Sequence, residues 1–340
     1  MSEFILGIET SCDETAAAVV SGGKPGEKII LSNVVSSQVD WHRRFRGVVP
    51  EIASRKHLEH INAVVAQALA DARTGFKDLS GIAVTQGPGL VGALLIGLTT
   101  AKALSYARGL ALVGVNHLEG HIYASFLDYP ELEPPLVALV VSGGHTTLIY
   151  MKDHGEYQIL GETLDDAAGE AFDKIASFLD LGYPGGPIID TIAAKGDPEA
   201  INFPRAMIKS DNFDFSLSGL KTAVINYVTK TRAKGQKINL NDLVASFQAA
   251  VVDVLTYKSL RAAQEMKAQK LVVAGGVAAN SYLRKKFKEL DQRDNLRVYF
   301  PSHNLCTDNA AMIAWAGYFH FKRGERLGLE AVPDPNLILT

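Results

Sequence analysis

Cysteine is nearly absent from this chain: two residues in 340, Cys12 and Cys306, far apart in sequence. That excludes a disulfide-stapled scaffold and points to a reducing compartment. An excess of charge of either sign is also missing. The formal net charge is −3, so nothing global attracts nucleic acid, and any such contact requires a local basic patch. Long apolar runs are lacking as well. The longest apolar stretch, Gly89 to Ala107, is interrupted by Thr99, Thr100, Lys102 and Ser105, and reads as a buried helix rather than a membrane span. Met1 to Gly7 has neither a basic start nor a sustained apolar core, so no leader peptide is expected. The expectation is a cytoplasmic protein with no membrane partner.

What is present is ordinary globular material, 47% hydrophobic and 21% charged. A chain of 340 residues exceeds one compact core. Two apolar runs from Phe4 to Val20 flank the polar stretch Glu9 to Thr15, which reads as a strand hairpin. Leu136 to Met151 repeats the pattern around Ser142 to Thr147. Later, Gly81–Val84 runs into Gln86 to Gly89 and a long helix, and Leu271–Ala274 runs into Gly275 to Asn280 and a helix through Leu290. This implies an α/β protein of two duplicated lobes. The prolines at 130, 134 and 135 mark the boundary, giving an N-terminal lobe 1–133 and a C-terminal lobe 134–340. The second lobe is expected to carry extra helices over 163–181 and 240–266, the latter amphipathic. A closing helix is expected from Thr307-Asp308.

Glycine turns at Gly143-Gly144, Gly185-Gly186 and Gly275-Gly276 can present backbone N–H groups to a phosphate. Asp173 and Asp190 stand near such turns and can accept from ribose hydroxyls, while Asp165 and Asp166 suit the dipole of the helix they open. His117 and His121 are spaced i, i+4, so both reach one ion from one helix face. Asp308 is the attractive third ligand, and two imidazoles with a carboxylate suit iron(II) or zinc. Glu119 sits two positions after His117, about 200° round the helix, so the H-E-x-x-H arrangement of a zinc protease is lacking. Three basic clusters, His42 to Arg46, Arg55 to His57 and Arg284 to Lys288, read as solvated faces. Trp41 and Phe45 among arginines make the first the best nucleic-acid candidate.

Several strings resemble the motifs of one family: Gly7-Ile8-Glu9-Thr10-Ser11-Cys12-Asp13-Glu14-Thr15, Gly47 to Arg55, Gln86-Gly87-Pro88-Gly89-Leu90, Asn116-His117-Leu118-Glu119-Gly120-His121, Val141 to Thr146, Phe215 to Thr222, Gly275 to Asn280 and Cys306 to Ala310. The resemblance spans nearly the whole chain, and the family is the universal tRNA N6-adenosine threonylcarbamoyltransferases in their bacterial TsaD form. It implies the fold of the acetate and sugar kinase, heat-shock chaperone and actin (ASKHA) superfamily, with a nucleotide cleft between the lobes. It implies a metal on His117, His121 and Asp308, and a nucleotide on Val140, Val141, Ser142, Gly143, Gly144, Asp173, Gly186, Asp190 and Asn280. The implied reaction moves threonylcarbamoyl from its adenylate to N6 of adenosine 37 in tRNAs reading codons that begin with A. The implied partners are a degenerate paralogue, TsaB, and a small ATPase, TsaE. Asp13, Glu14 and His145 are then candidate acid–base or positioning groups, unranked. The alternative is an O-carbamoyltransferase using carbamoyl-adenylate. A kinase would leave His117 and His121 without purpose, and a heat-shock chaperone would need a peptide-binding domain.

Overall fold

Strand β1 (Phe4–Glu9) is buried along nearly its whole length because helices cover both of its faces. The computed structural model describes residues 3–22, 29–291 and 296–340; residues 1–2, where the leader reading starts, lie outside them. The chain divides into two compact units, residues 1–133 with 301–340, and residues 134–300.

In the first unit β1 pairs antiparallel with β2 (Glu14–Ser21), and β2 pairs with β3 (Ile30–Ser37). On its other edge β1 runs parallel to β4 (Gly81–Gly87), and β4 to β5 (Ala111–Asn116). Leu6, Ile8, Ala17 and Val19 alternate onto one face, as the period of two requires. There they meet Ile61, Val65 and Ala68 of α2 (Pro50–Asp71) and Leu98 of α3 (Val91–Arg108). The short α1 (Val39–Arg43) precedes α2, and α4 (His117–Asp128) follows β5 directly.

The opposite face is covered by α11 (Ala310–Lys322), which follows the short α10 (His303–Cys306). Close approach depends on glycine: a Cβ on Gly317 would stand 2.2 Å from the Ala83 Cβ. This corrects the expected C-terminal lobe of 134–340. Residues 301–340 belong to the first unit, because that sheet's second face needs α11 and the second unit closes without it. The closing helix also starts later than expected, capped by Asn309, whose side chain accepts from Met312 N–H at 3.1 Å.

The second unit repeats the topology. Strand β6 (Leu136–Val141) pairs antiparallel with β7 (Thr146–Asp153), which pairs with β8 (Glu156–Glu162). It runs parallel to β9 (Lys270–Ala274), which pairs with β10 (Arg297–Tyr299). In each sheet the spatial order is third, second, first, fourth, fifth strand. The duplication expected from the hairpins is therefore a duplication of whole sheets.

The helices of this unit are α5 (Ala168–Phe178), α6 (Gly185–Ala193), α7 (Ser218–Ala233), α8 (Leu240–Glu265) and α9 (Ser281–Leu290). Two expectations change here. Helix α8 is not amphipathic: Leu243 through Val252 are all buried, so it is covered on every side. It is long and apolar enough to span a membrane, but 83% of the apolar window is buried within the protein, as in a core helix. Asp165 does not serve the helix it precedes in sequence. Its carboxylate accepts from Leu217 N–H at 2.8 Å, Ser218 N–H at 3.2 Å and both the Ser216 and Ser218 hydroxyls at 2.6 Å, so it caps α7. These bonds outweigh partial burial and lower its pKa to about 2. Asp166 pairs instead with Lys174 at 2.6 Å.

Candidate active site

Helix α4 begins immediately where β5 ends, so the histidine after the strand is fixed at the first helical position. Asn116 caps it, its side-chain oxygen accepting from Leu118 N–H at 2.9 Å while its amide donates to the Leu337 carbonyl at 3.2 Å. His117 and His121 then share the face turned to the segment before α11. Their rings stand edge to face, centroids 4.7 Å apart. Asp308 Oδ1 lies 3.5 Å from His117 Nε2 and 3.3 Å from His121 Nε2. One donor atom from each of the three residues falls within 4.8 Å of the others.

Two observations show that this cluster suits a metal. His121 is fully buried, yet neither ring nitrogen makes a hydrogen bond, an arrangement that costs about 1–3 kcal/mol per polar group unless a ligand uses it. His117 is oriented from behind: Nδ1 lies 3.0 Å from Glu9 Oε2 and 3.2 Å from Ser11 Oγ. Glu9, also fully buried, accepts from Thr85 Oγ1 at 2.7 Å and from Ser11 N–H. A carboxylate on Nδ1–H holds the tautomer that aims the Nε2 lone pair at an ion. Burial disfavours the charged His117 ring, but Asp308 and Glu9 outweigh it and raise its pKa to about 9. Without an ion, a proton on Nε2 is the cation between these carboxylates.

Asp13, in the hairpin turn before β2, and Glu14, the first residue of β2, lie in the same unit. Burial, followed by the neighbouring charges of Asp13 and Asp308, raises the Glu14 carboxyl well above its ordinary pKa, against a bond from Ser37 Oγ at 3.2 Å. Glu119, the residue a protease reading would need, is buried on another side of α4 and lies 2.7 Å from His320 Nε2.

The expected nucleotide residues gather in the second unit. Pairing of β6 with β9 sets Val140 beside Ala274, and Gly275 packs on the Val141 carbonyl with φ of +92°. The turn Ser142–His145 closes by Ser142 N–H on the His145 carbonyl at 2.8 Å, and the Ser142 carbonyl accepts from Gly169 N–H at 3.0 Å. Gly143, Gly144, Gly186 and Gly276 all face open space where a Cβ would stand. Asp173 accepts from Gly185 N–H at 2.6 Å, while Asp190 accepts from Ser281 N–H and Oγ, both at 2.9 Å. Asn280 caps α9 through Leu283 N–H at 2.9 Å and donates to Gln248 at 2.8 Å. Both acids thus serve loop structure. His145 belongs to this turn, in the other unit from Asp13 and Glu14.

The basic clusters divide differently than expected. His42 and His57 are fully buried, not solvated. His57 Nε2 donates to the Cys12 carbonyl at 2.9 Å and Nδ1 accepts from Thr15 Oγ1 at 2.8 Å, tying α2 to the Cys12–Asp13 turn. Trp41 and Phe45 are about half exposed, each carrying a cation on its face, Lys56 at 3.9 Å and Arg44 at 4.7 Å. Phe287 of the third cluster is fully buried. Glu9 and Thr85 were not singled out from sequence as functional, and His42 and His57 only as members of basic clusters. The available signal was a glutamate ending an apolar strand, where burial demands a partner.

Comparison with known proteins agrees with this geometry. The family model described as TsaD, tRNA N6-adenosine threonylcarbamoyltransferase, matches residues 29–315. A protein of that name from Clostridium kluyveri is 56% identical over 336 residues, 98% of this chain and 97% of the relative. One from Clostridium perfringens is 54% identical over 337 residues, 99% and 98% of the two chains. Among solved structures, HypF from T. kodakarensis superposes with a TM-score of 0.65 at 13% identity, covering 98% of this chain and 50% of that one. Component A of the (R)-2-hydroxyglutaryl-CoA dehydratase of Acidaminococcus fermentans gives 0.55 at 14%, covering 93% and 98%. These two likenesses concern the fold alone. At such identity over nearly its whole length, the chain belongs to the TsaD family of tRNA N6-adenosine threonylcarbamoyltransferases.

Proposed function

We propose that this chain transfers threonylcarbamoyl from threonylcarbamoyl-adenylate to N6 of adenosine 37 in tRNAs reading codons that begin with A. The observation that carries the reading is the buried His117–His121–Asp308 cluster, backed by Glu9, in a chain of this family. In the reaction the bond from the carbamoyl carbon to the phosphate oxygen breaks, a carbon–N6 bond forms, N6 loses a proton and AMP departs. The donor is a mixed anhydride and already activated, so orientation and charge stabilisation are what remain for the protein.

Val140, Val141, Ser142, Gly143, Gly144, Gly186 and Asn280 would bind the nucleotide part, with backbone N–H groups at the open turns steadying the departing phosphate. Asp173 and Asp190 would take ribose hydroxyls. Asp13, Glu14 and His145 would hold or move the N6 proton, and the raised pKa of Glu14 suits it to carrying one. His117, His121 and Asp308 would hold one divalent ion, iron(II) or zinc, which supplies Lewis-acid polarisation and a template for donor oxygens.

The exposed Trp41 and Phe45 with their cations fit an anticodon loop, where a base can be splayed out and stacked. The expected protein partners are the paralogue TsaB and the ATPase TsaE, in the cytoplasm. Transfer of labelled threonine to tRNA bearing adenosine 37, with donor, partners and His117→Ala in parallel, tests the reading. Label that vanishes in the variant supports it. No label from folded wild-type protein would favour O-carbamoyl transfer to a small molecule.

A further inference from the structure

Two buried polar atoms, on Gln38 and His42 in the segment bonded to the Asp13 backbone, have no protein partner. Gln38 and His42 stand four residues apart, at the cap and in the last turn of α1, and so share a side of it. Both are essentially inaccessible, at 1% and 0% exposure. His42 Nδ1 accepts from Val49 N–H at 3.2 Å. The ring proton is therefore on Nε2, a donor with no protein acceptor. Gln38 donates through its amide to the Ala53 carbonyl and to His57 Nδ1, each at 3.4 Å, which leaves Oε1 an acceptor with no protein donor.

The segment is anchored on the turn that carries Asp13: Gln38 N–H donates to the Asp13 carbonyl at 3.1 Å, and His42 N–H to the Gln38 carbonyl at 3.2 Å. Burial lowers the His42 pKa, and Asp13 is the charge that opposes this shift. Arg43, Asp40 and Lys56 nearby spend their charges elsewhere, Arg43 on Asp40 and Lys56 on Glu59.

A buried unpaired donor and a buried unpaired acceptor each destabilise the fold, and one water with several polar partners relieves both. We propose that Gln38 and His42 hold a single buried water that positions the Asp13 carboxylate. The water accepts from His42 Nε2–H and donates once to Gln38 Oε1 and once to Asp13, which satisfies all three groups. Gln38 and His42 are thus positioning residues for the transfer read above, and their catalytic consequence rests on that reading. The water itself does not.

Two arms test the proposal. A high-resolution crystal structure of the wild-type chain is expected to show one ordered water within hydrogen-bond distance of His42 Nε2, Gln38 Oε1 and an Asp13 oxygen. Its absence there, or its engagement with groups other than Asp13, overturns the proposal. In the transfer assay with partners, tRNA and donor, His42→Asn keeps the acceptor for Val49 N–H and removes the Nε2 donor, whereas His42→Gln restores a donor near Nε2. His42→Asn is expected to lower kcat on the order of tenfold to a hundredfold, with donor KM and melting temperature unchanged, and His42→Gln to recover most of that loss. Equal turnover in the two variants, or a loss of kcat that follows a loss of melting temperature, makes His42 merely structural. Absence of transfer by the wild-type chain sinks the proposed function instead and leaves the crystallographic arm standing.

Discussion

The two units share one sheet order but differ in what stands at the ends of their strands. In the first, the strand ends carry side chains with chemistry: Glu9 closes β1, Asp13 stands in the turn before β2, and His117 opens α4 directly after β5. In the second, the loops after β6 and β9 carry glycine and backbone: Gly143, Gly144, Gly275, Gly276. The first unit carries a buried cluster of acids and imidazoles that suits a cation, and the second carries glycine turns that face open space. A duplicated scaffold can be divided this way because strand order and packing live in the sheet while loop residues are free to differ.

The largest effects should break the first side of this comparison. His121→Ala is expected to abolish both bound metal, read by elemental analysis, and threonylcarbamoyl transfer. Metal added to the wild-type chain should raise its melting temperature by mass action, and the variant should lose that rise. Retention of metal by the variant would remove His121 from the site.

The proton on His117 gives a pH signature. Its folded pKa of about 9 lies above the ordinary 6.5. The stability it lends the metal-free chain is therefore full below 6.5 and lost as pH rises through about 9. Metal must displace that proton, so affinity should climb with pH up to about 9 and then level. A flat affinity across that range would show that Asp308 and Glu9 do not hold a proton there.

Next, Glu9→Gln should weaken metal binding by about tenfold to a hundredfold while the chain still folds, measured by competition with a chelator. An unchanged affinity would confine Glu9 to a structural role.

The second side can be sharpened with glycine. At Gly275, whose φ is +92°, a Cβ would stand 2.3 Å from the Val141 carbonyl oxygen. Gly275→Ala should therefore cost on the order of 1–3 kcal/mol of stability. The neighbouring Gly276 faces open space, so Gly276→Ala should leave chemical denaturation within about 0.5 kcal/mol of wild type and raise the donor KM. A clear loss of stability at Gly276 would mean the turn is structural rather than a ligand site.

The smallest effect concerns acid stability. Asp165 is held at about 2, below the ordinary 3.8. Its contribution is present above 3.8 and lost as pH falls through about 2. Asp165→Asn should flatten acid unfolding in that window, with circular dichroism as the readout. An unaltered profile would mean the cap on α7 contributes nothing measurable.

Much of this was legible in the chain itself. The hairpin periodicities, the strand–glycine–helix runs and the i, i+4 histidines are local patterns, and local patterns follow from dihedral preferences and side-chain period. Asp165 was misread because capping is a spatial relation: the helix it serves begins more than fifty residues later. His42 and His57 were misread for a similar reason. Beside arginine and lysine they look like part of a charged face, and only the packing of α1 and α2 on the β1–β2 turn shows that they are buried.

By itself, the sequence determined two α/β halves of the same design, the helix that aligns His117 with His121, and the glycine turns. Only the tertiary structure decided that residues 301–340 return to the first unit, which brings Asp308 to within 3.5 Å of both histidines. It also set Glu9 behind His117, 108 residues away along the chain. Such encounters are decided by which uncovered apolar face a distant helix can bury, a quantity no local window of sequence contains.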